Sequence, residues 1–383
     1  MVGEGARRGR SRYDVAIVGA GITGTAAAYY LSQVGRRVVV LDRADIAGEG
    51  SGRTLGGVRQ SARDAAELPL AMEAVRLWAG LAGELGRDVG YRQTGNLRLG
   101  TTKAEVAHLE EIVATGRSAG LDIELVEGER LRRLAPALSP AVIAASYCAS
   151  DGYVLDPPLV ARSYAQVARG QGATFLTGTG VVGVEMTGGR VSGVVTPDGL
   201  IGAPVVVLCT GVGTGALCRE LGLQFPMQAR RVQIAVLRTD QPRFTAAFGM
   251  ADAGMSGCPD ALEGHFRFAS SAHGEIVDPR SMNDLPTLPE VEAQLLDRAG
   301  AIFTNLGERS VVRRWSGLID TTPDHKPVLD ALSSPSGLVL AAGFSGHGFC
   351  LGPISGRLIA DIILDGRPSL SLHAFRWSRF STG

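Results

Sequence analysis

An α/β fold is predicted: a helix-flanked parallel sheet joined to a second, smaller part built on a mixed α+β sheet. Three observations predict it. Residues 13–42 carry a strand, a glycine turn, a helix and a second strand, and residues 337–364 repeat strand, glycine-rich loop and helix. Gly supplies 52 of the 383 residues, about twice the usual ~7% share and without a collagen period, which fits tight turns and backbone that closes on a ligand. The length corresponds to about two domains.

The opening unit is the most informative. Tyr13 to Val18 is an apolar run of strand length, followed directly by Gly19-Ala20-Gly21-Ile22-Thr23-Gly24. Thr25 to Val34 reads as a small-residue helix stopped by Gly35, and a second strand, Arg37 to Leu41, ends in Asp42. This is the dinucleotide fingerprint of a Rossmann-like domain. Gly19 serves the tight turn, Gly21 lets backbone N–H groups approach a pyrophosphate, and Gly24 lets the helix pack closely on the strand. The helix N-terminus adds its positive dipole. Asp42, 18 residues after Gly24, is placed to accept from a ribose diol. The fingerprint alone does not separate NAD from FAD.

The middle alternates. Leu70, Val75, Trp78, Leu81 and Leu85 share one broad face of a helix over 69–85. Thr102 and Glu105 form a capping box opening another helix, with Val106, Leu109 and Val113 inward. Asp156 with Pro157 caps a third, through about residue 168. Residues 181–195 read as a hairpin turning at Gly188-Gly189, and 204–208 as a buried strand ending in Cys209-Thr210-Gly211. Residues 240–290, rich in Pro, Gly, Asp and Ser, read as long loops over a mixed sheet that includes 265–268. Near the end, the strand 337–342 runs into Gly343-Phe344-Ser345-Gly346-His347-Gly348-Phe349, with a helix expected from about Pro353 to Leu364. The spacing of this loop differs from the first fingerprint, so a second nucleotide site is not required. Its backbone donors and helix end suit another part of the same cofactor.

Composition narrows the partners. Acids and bases balance at 38 each, which argues against a nucleic-acid footprint or a polybasic membrane patch. No apolar run reaches the ~18 residues that span a bilayer. Arg7, Arg8 and Arg10 read as a basic tail. Five scattered cysteines form no CxxC pair, so neither a metal site nor a disulfide framework is expected, and a reduced, cytoplasmic protein fits. Lys occurs only as Lys103 and Lys326, so the other 36 basic residues are arginine.

The opening unit, the segment Gly50-Ser51-Gly52-Arg53 through Gly56-Gly57-Val58-Arg59, Trp315-Ser316-Gly317 with Thr322-Pro323-Asp324, and the Gly343–Phe349 loop together resemble the FAD-dependent D-amino-acid-oxidase superfamily. Within it, they resemble the branch of sarcosine and glycine oxidases. The resemblance implies an FAD-binding domain from pieces 12–85, 145–225 and 310–383, and a substrate domain from 86–144 and 226–309. It implies FAD with its ADP half on Gly19–Gly24, Asp42 and Arg43, Val182 on the adenine side, Ser51, Arg53, Gly57 and Val58 along the ring and phosphates, and Thr210-Gly211 and the Gly343–Phe349 loop completing the site. It implies oxidation of a C–N bond in a secondary amine or an N-alkyl or cyclic amino acid, with oxygen or another electron acceptor and a possible oligomer or heteromeric partner. Oxidation of a 2-hydroxy acid, or a non-catalytic FAD-holding subunit, are the alternatives.

Departures from that branch sharpen the expectations. Monomeric sarcosine oxidases attach flavin to a cysteine before the Thr322-Pro323-Asp324 segment; Gly317 stands there, so the FAD is expected to be non-covalent. The residue after the loop is a substrate-binding lysine in those oxidases and Cys350 here. Their oxygen-activating lysine falls near Arg267. His347, Arg267 and Cys350 are therefore the catalytic candidates, with sarcosine itself an expected poor substrate.

Overall fold

The computed structural model describes residues 13–238, 244–271, 273–278, 285–304, 306 and 310–380; the basic tail at 7–10 lies outside them. Val15–Val18, Val38–Leu41 and Val205–Leu208 are unbroken apolar runs, the pattern of strands covered on both faces. They pair in parallel, Val15 beside both Val38 and Val205. The full order is Val328–Ala331, Leu338–Ala342, Val205–Leu208, Val15–Val18, Val38–Leu41, Thr174–Leu176, with only the first pair antiparallel. Alternate residues feed two cores. Val15, Ile17, Val38 and Val40 pack under helices, whereas Ala16, Val18, Val39 and Leu41 face Val191, Val194 and Leu217.

On the helical face lie Ile22–Gln33, Pro157–Gly170 and Gly348–Asp365. Small residues set the closeness of this layer. A Cβ on Gly356 would stand 2.5 Å from Ala26 Cβ and 2.6 Å from Ala27 N, and one on Gly352 would overlap Ile22. The first and last helices of the domain are thus pressed together along a glycine–alanine seam.

The second sheet is mixed, as expected, and has nine strands among the described residues. Near one edge, Gln228–Arg238 is paired antiparallel with His265–Ser270 on one side and Ser310–Thr321 on the other. The sheet continues through Met255–Pro259, Ala247–Met250, Asn96–Gly100, Ala144–Cys148 and Glu124–Glu127; Ala247–Met250 runs parallel to Asn96–Gly100. Ala144–Cys148 and Ser310–Thr321 both pair into this second sheet, the first with Asn96–Gly100 and the second with Gln228–Arg238 along its whole length. The 240–290 region is also more regular than its composition suggests, with four strands among its described residues.

The local signals hold in most places. The Thr102–Glu105 capping box forms, with Leu109 and Val113 buried and Val106 half-buried. The hairpin turns at Gly188-Gly189, both at positive φ. Asp156 makes no side-chain cap bond, so Pro157 marks that helix start. The clearest difference is the last helix. It begins at Gly348, inside the glycine loop, and carries Pro353 in its body.

Candidate active site

Two helix N-termini open onto one cavity of about 870 Å³. Neither Gly21, before Ile22–Gln33, nor His347, before Gly348–Asp365, supplies a side-chain cap. The free N–H groups and dipole of each helix are therefore available to an anion or a partial negative charge. At the first, Ile22 N–H donates to Ser51 Oγ at 3.0 Å, and a Cβ on Gly21 would come within 2.9 Å of that oxygen. Gly19 and Gly24 are tight for packing: a Cβ on either would overlap backbone. Gly24 does not line the cavity, whereas Gly19, Gly21, Ile22 and Thr23 do.

Asp42 lines the same cavity and accepts from Ala20 N–H at 2.6 Å and Ala44 N–H at 2.8 Å. Burial raises its pKa, and these two donors oppose the rise. A carboxylate has further lone pairs, so a ribose hydroxyl remains within its capacity. Arg43, paired with Glu49 at 3.1 Å, and exposed Val182 complete this end. Thr210 and Gly211, just past the end of the strand Val205–Leu208, line the cavity too.

At the other end, Arg53 is tied to the second sheet. Its Nη1 donates to Ser316 O, and Trp315 Nε1 donates to Arg53 O at 2.9 Å. Gly346, His347, Gly348 and Phe349 line the cavity, while Gly343 sits behind it at φ 73° and donates its N–H to Asp320 Oδ2 at 2.6 Å. Burial lifts Asp320 to about 6 against that bond. Gly57 and Val58 form a short strand against Gly152–Tyr153, outside the lining.

The three catalytic candidates separate. His347 lines the cavity, and its Nδ1 lies 3.0 and 2.9 Å from the two oxygens of Glu67, a carboxylate only 1% exposed. Burial, with the charge of Arg63, pushes His347 down to about 4, so the imidazole is neutral at pH 7 and donates Nδ1–H to Glu67. Cys350 lies in the core outside the lining, its Sγ 3.4 Å from Arg59 O, and burial pushes its thiol up. Arg267 is 3% exposed and held away from the cavity by Val154 O, Pro259 O and Asp260. Glu67 behind His347 and the cavity-lining Asp320 and Arg98 are groups that sequence reasoning misses. An acid before an apolar helix reads as an end residue, and an arginine in an alternating strand reads as solvent-facing.

Burial of His347 beside Arg63 makes stability pH-dependent. Between its folded value of about 4 and its unfolded value of 6.5, His347 binds a proton only in the unfolded chain, so stability falls as pH drops through that window. The expected loss is on the order of 3 kcal/mol. Urea unfolding at pH 7 and 4.5 should show a smaller loss for His347→Gln than for wild type; equal losses would contradict the assignment.

Among the described residues, no cluster of His, Cys, Asp or Glu is arranged to hold a metal, and all five cysteines are free. No helix among the described residues is long and apolar enough to cross a membrane. The donor set instead fits a dinucleotide, with a glycine cradle and helix end for phosphates, an acid nearby, and a second helix end under an apolar-walled space.

Comparison with known proteins agrees. The chain is 25% identical over 371 residues to the glycine oxidase of Bacillus licheniformis, covering 94% of this chain and 95% of that one. It is 28% identical over 388 residues to sarcosine oxidase subunit beta of Rhizobium meliloti, covering 98% and 90%. The crystal structure of L-proline dehydrogenase from P. horikoshii superposes with a TM-score of 0.89 at 25% identity, covering 97% of this chain and 98% of that one. The model for the family described as DAO, FAD dependent oxidoreductase, matches residues 14–362. The chain with its fingerprint cavity is thus a member of the FAD-dependent oxidoreductases, an enzyme of the amino-acid oxidase and dehydrogenase kind.

Proposed function

We propose that the protein oxidises the C–N bond of a secondary amine or of an N-alkyl or cyclic amino acid to an imine. The carrying observation is one continuous cavity, lined by the fingerprint helix, the Gly346–Phe349 loop and the second sheet. Gly21, Asp42 and the Ile22–Gln33 helix end would hold the ADP half of FAD, and the Gly348–Asp365 helix end its ring. FAD held there would supply the two-electron acceptor for the substrate's hydride. The uncapped N–H groups at Gly348 and Phe349 offer fixed donors to negative charge, in the manner of an oxyanion hole. Neutral His347, oriented by Glu67, adds no positive charge there and leaves Nε2 as an acceptor. Val232, Ile234 and Ala269 from the second sheet wall the cavity with apolar surface, which excludes water from the reacting carbon.

The substrate preference follows from what is absent. The position after the loop is a buried thiol, not a cation, and neither lysine lines the cavity. Lys326 is paired with Asp64 and Asp324. Proline or another cyclic secondary amine is expected to exceed sarcosine in kcat/KM, with oxygen or another compound as electron acceptor. Anaerobic mixing of purified protein with sarcosine, proline and pyrrolidine, watching the flavin band, tests this. Sarcosine as the best of the three would refute the preference. Bleaching by 2-hydroxy acids but by no amine would refute the C–N assignment. Turnover by the lone chain would show that no partner subunit is needed.

A further inference from the structure

Resting on that amino-acid reading, we propose that Arg98, seated on Gly249, is the group that receives the substrate carboxylate. Four arginines line the cavity, and three of them are engaged within the chain. Arg43 pairs with Glu49, Arg53 donates to Ser316 O, and Arg59 donates to the carbonyls of Ser61 and Ala62. Arg98 makes no hydrogen bond or ion pair among the described residues, and its buried Nε has no partner. The carboxylate whose charge opposes burial's lowering of the Arg98 pKa, Asp151, is already taken by Gln60 N–H and by Ser61 N–H and Oγ–H. A guanidinium in low dielectric without an acceptor is costly, and a planar anion with two oxygens satisfies its fork.

The seat is specific. Arg98 lies in the strand Asn96–Gly100, directly beside Gly249 in the parallel neighbour, and a Cβ on Gly249 would overlap its Nη1. The guanidinium thus occupies the space a side chain would take, next to Ser256, and faces the part of the cavity walled by the second sheet. The carboxylate contact is made from the substrate sheet, far in sequence from Cys350.

The test uses the yellow holoenzyme and tetrahydrofuran-2-carboxylate, a proline analogue with no oxidisable C–N bond, titrated by its effect on flavin absorption; pyrrolidine titrated in the same way is the carboxylate-free control. Arg98→Met should weaken the carboxylate at least about tenfold and leave pyrrolidine unchanged. Arg98→Lys should recover part of the affinity. Gly249→Ala, which keeps the charge but displaces the guanidinium, should also weaken the carboxylate selectively. Wild-type affinity in both Arg98→Met and Gly249→Ala would overturn the proposal, as would equal loss of both ligands. If no amine or amino acid bleaches the wild-type flavin while these variants still lose the carboxylate selectively, the catalytic reading fails and the Arg98 assignment stands.

Discussion

Gly21→Val is expected to purify colourless, holding roughly a tenth or less of the FAD carried by a yellow wild type. The valine would fill the space before the first helix, where even a Cβ reaches 2.9 Å from Ser51 Oγ, and would block the uncapped N–H groups. Asp42→Ala should act more weakly, lowering FAD affinity about tenfold, since it removes one hydroxyl contact and loosens the Ala20 turn. Acid precipitation of wild type should leave the colour in the supernatant, as expected of FAD held without a covalent bond. A yellow Gly21→Val protein, or colour that stays with the wild-type pellet, would contradict this account.

Gly356→Val should destabilise the fold by on the order of 3 kcal/mol or more, because its side chain meets Ala26 and the Ala27 backbone, neither of which can rotate away. The same substitution should cost FAD affinity. The seam it opens sets the separation of the two helix ends that face the cavity. Gly80→Ala is the control: it lies in the helix Leu68–Glu84 with nothing within 4 Å, and should be neutral or slightly stabilising. Thermal melts of the three proteins and their flavin content settle the point; a Gly356→Val protein melting like wild type would refute the seam.

Much of this was legible in the sequence where a local rule coincides with the fold. Val15–Val18 and Val38–Leu41 are buried on both faces, so composition alone marks them. The fingerprint ties Gly19 and Gly24 to tight packing, which the structure repeats. The rest depends on distant partners. The last helix starts five residues before Pro353 because burial of Phe349, Cys350 and Leu351, with Trp78 Nε1 donating to Cys350 O at 2.8 Å, outweighs the propensity of a glycine-rich run. Arg267 and Cys350 keep the places a family resemblance gives them in the chain, yet Asp260 and the core claim their side chains. Arg98 has no sequence signal at all, because its meaning comes from the absence of a side chain at residue 249, across a strand pair.

The order of strands in the first sheet also bears on how the protein is made. Val15–Val18 lies between Val38–Leu41 and Val205–Leu208, and Leu338–Ala342 lies beyond. At ordinary ribosomal speeds, about 10–40 s separate emergence of the first strand from emergence of its second neighbour. During that interval the nascent fingerprint has one bare strand edge, a template for wrong pairing. The helix that closes the cavity, Gly348–Asp365, emerges later still. Loading of FAD is therefore expected only after residue 365 has emerged, and a chain stalled before residue 348 carries the fingerprint as a liability for chaperones and proteases, without the helix end that would help keep its cofactor.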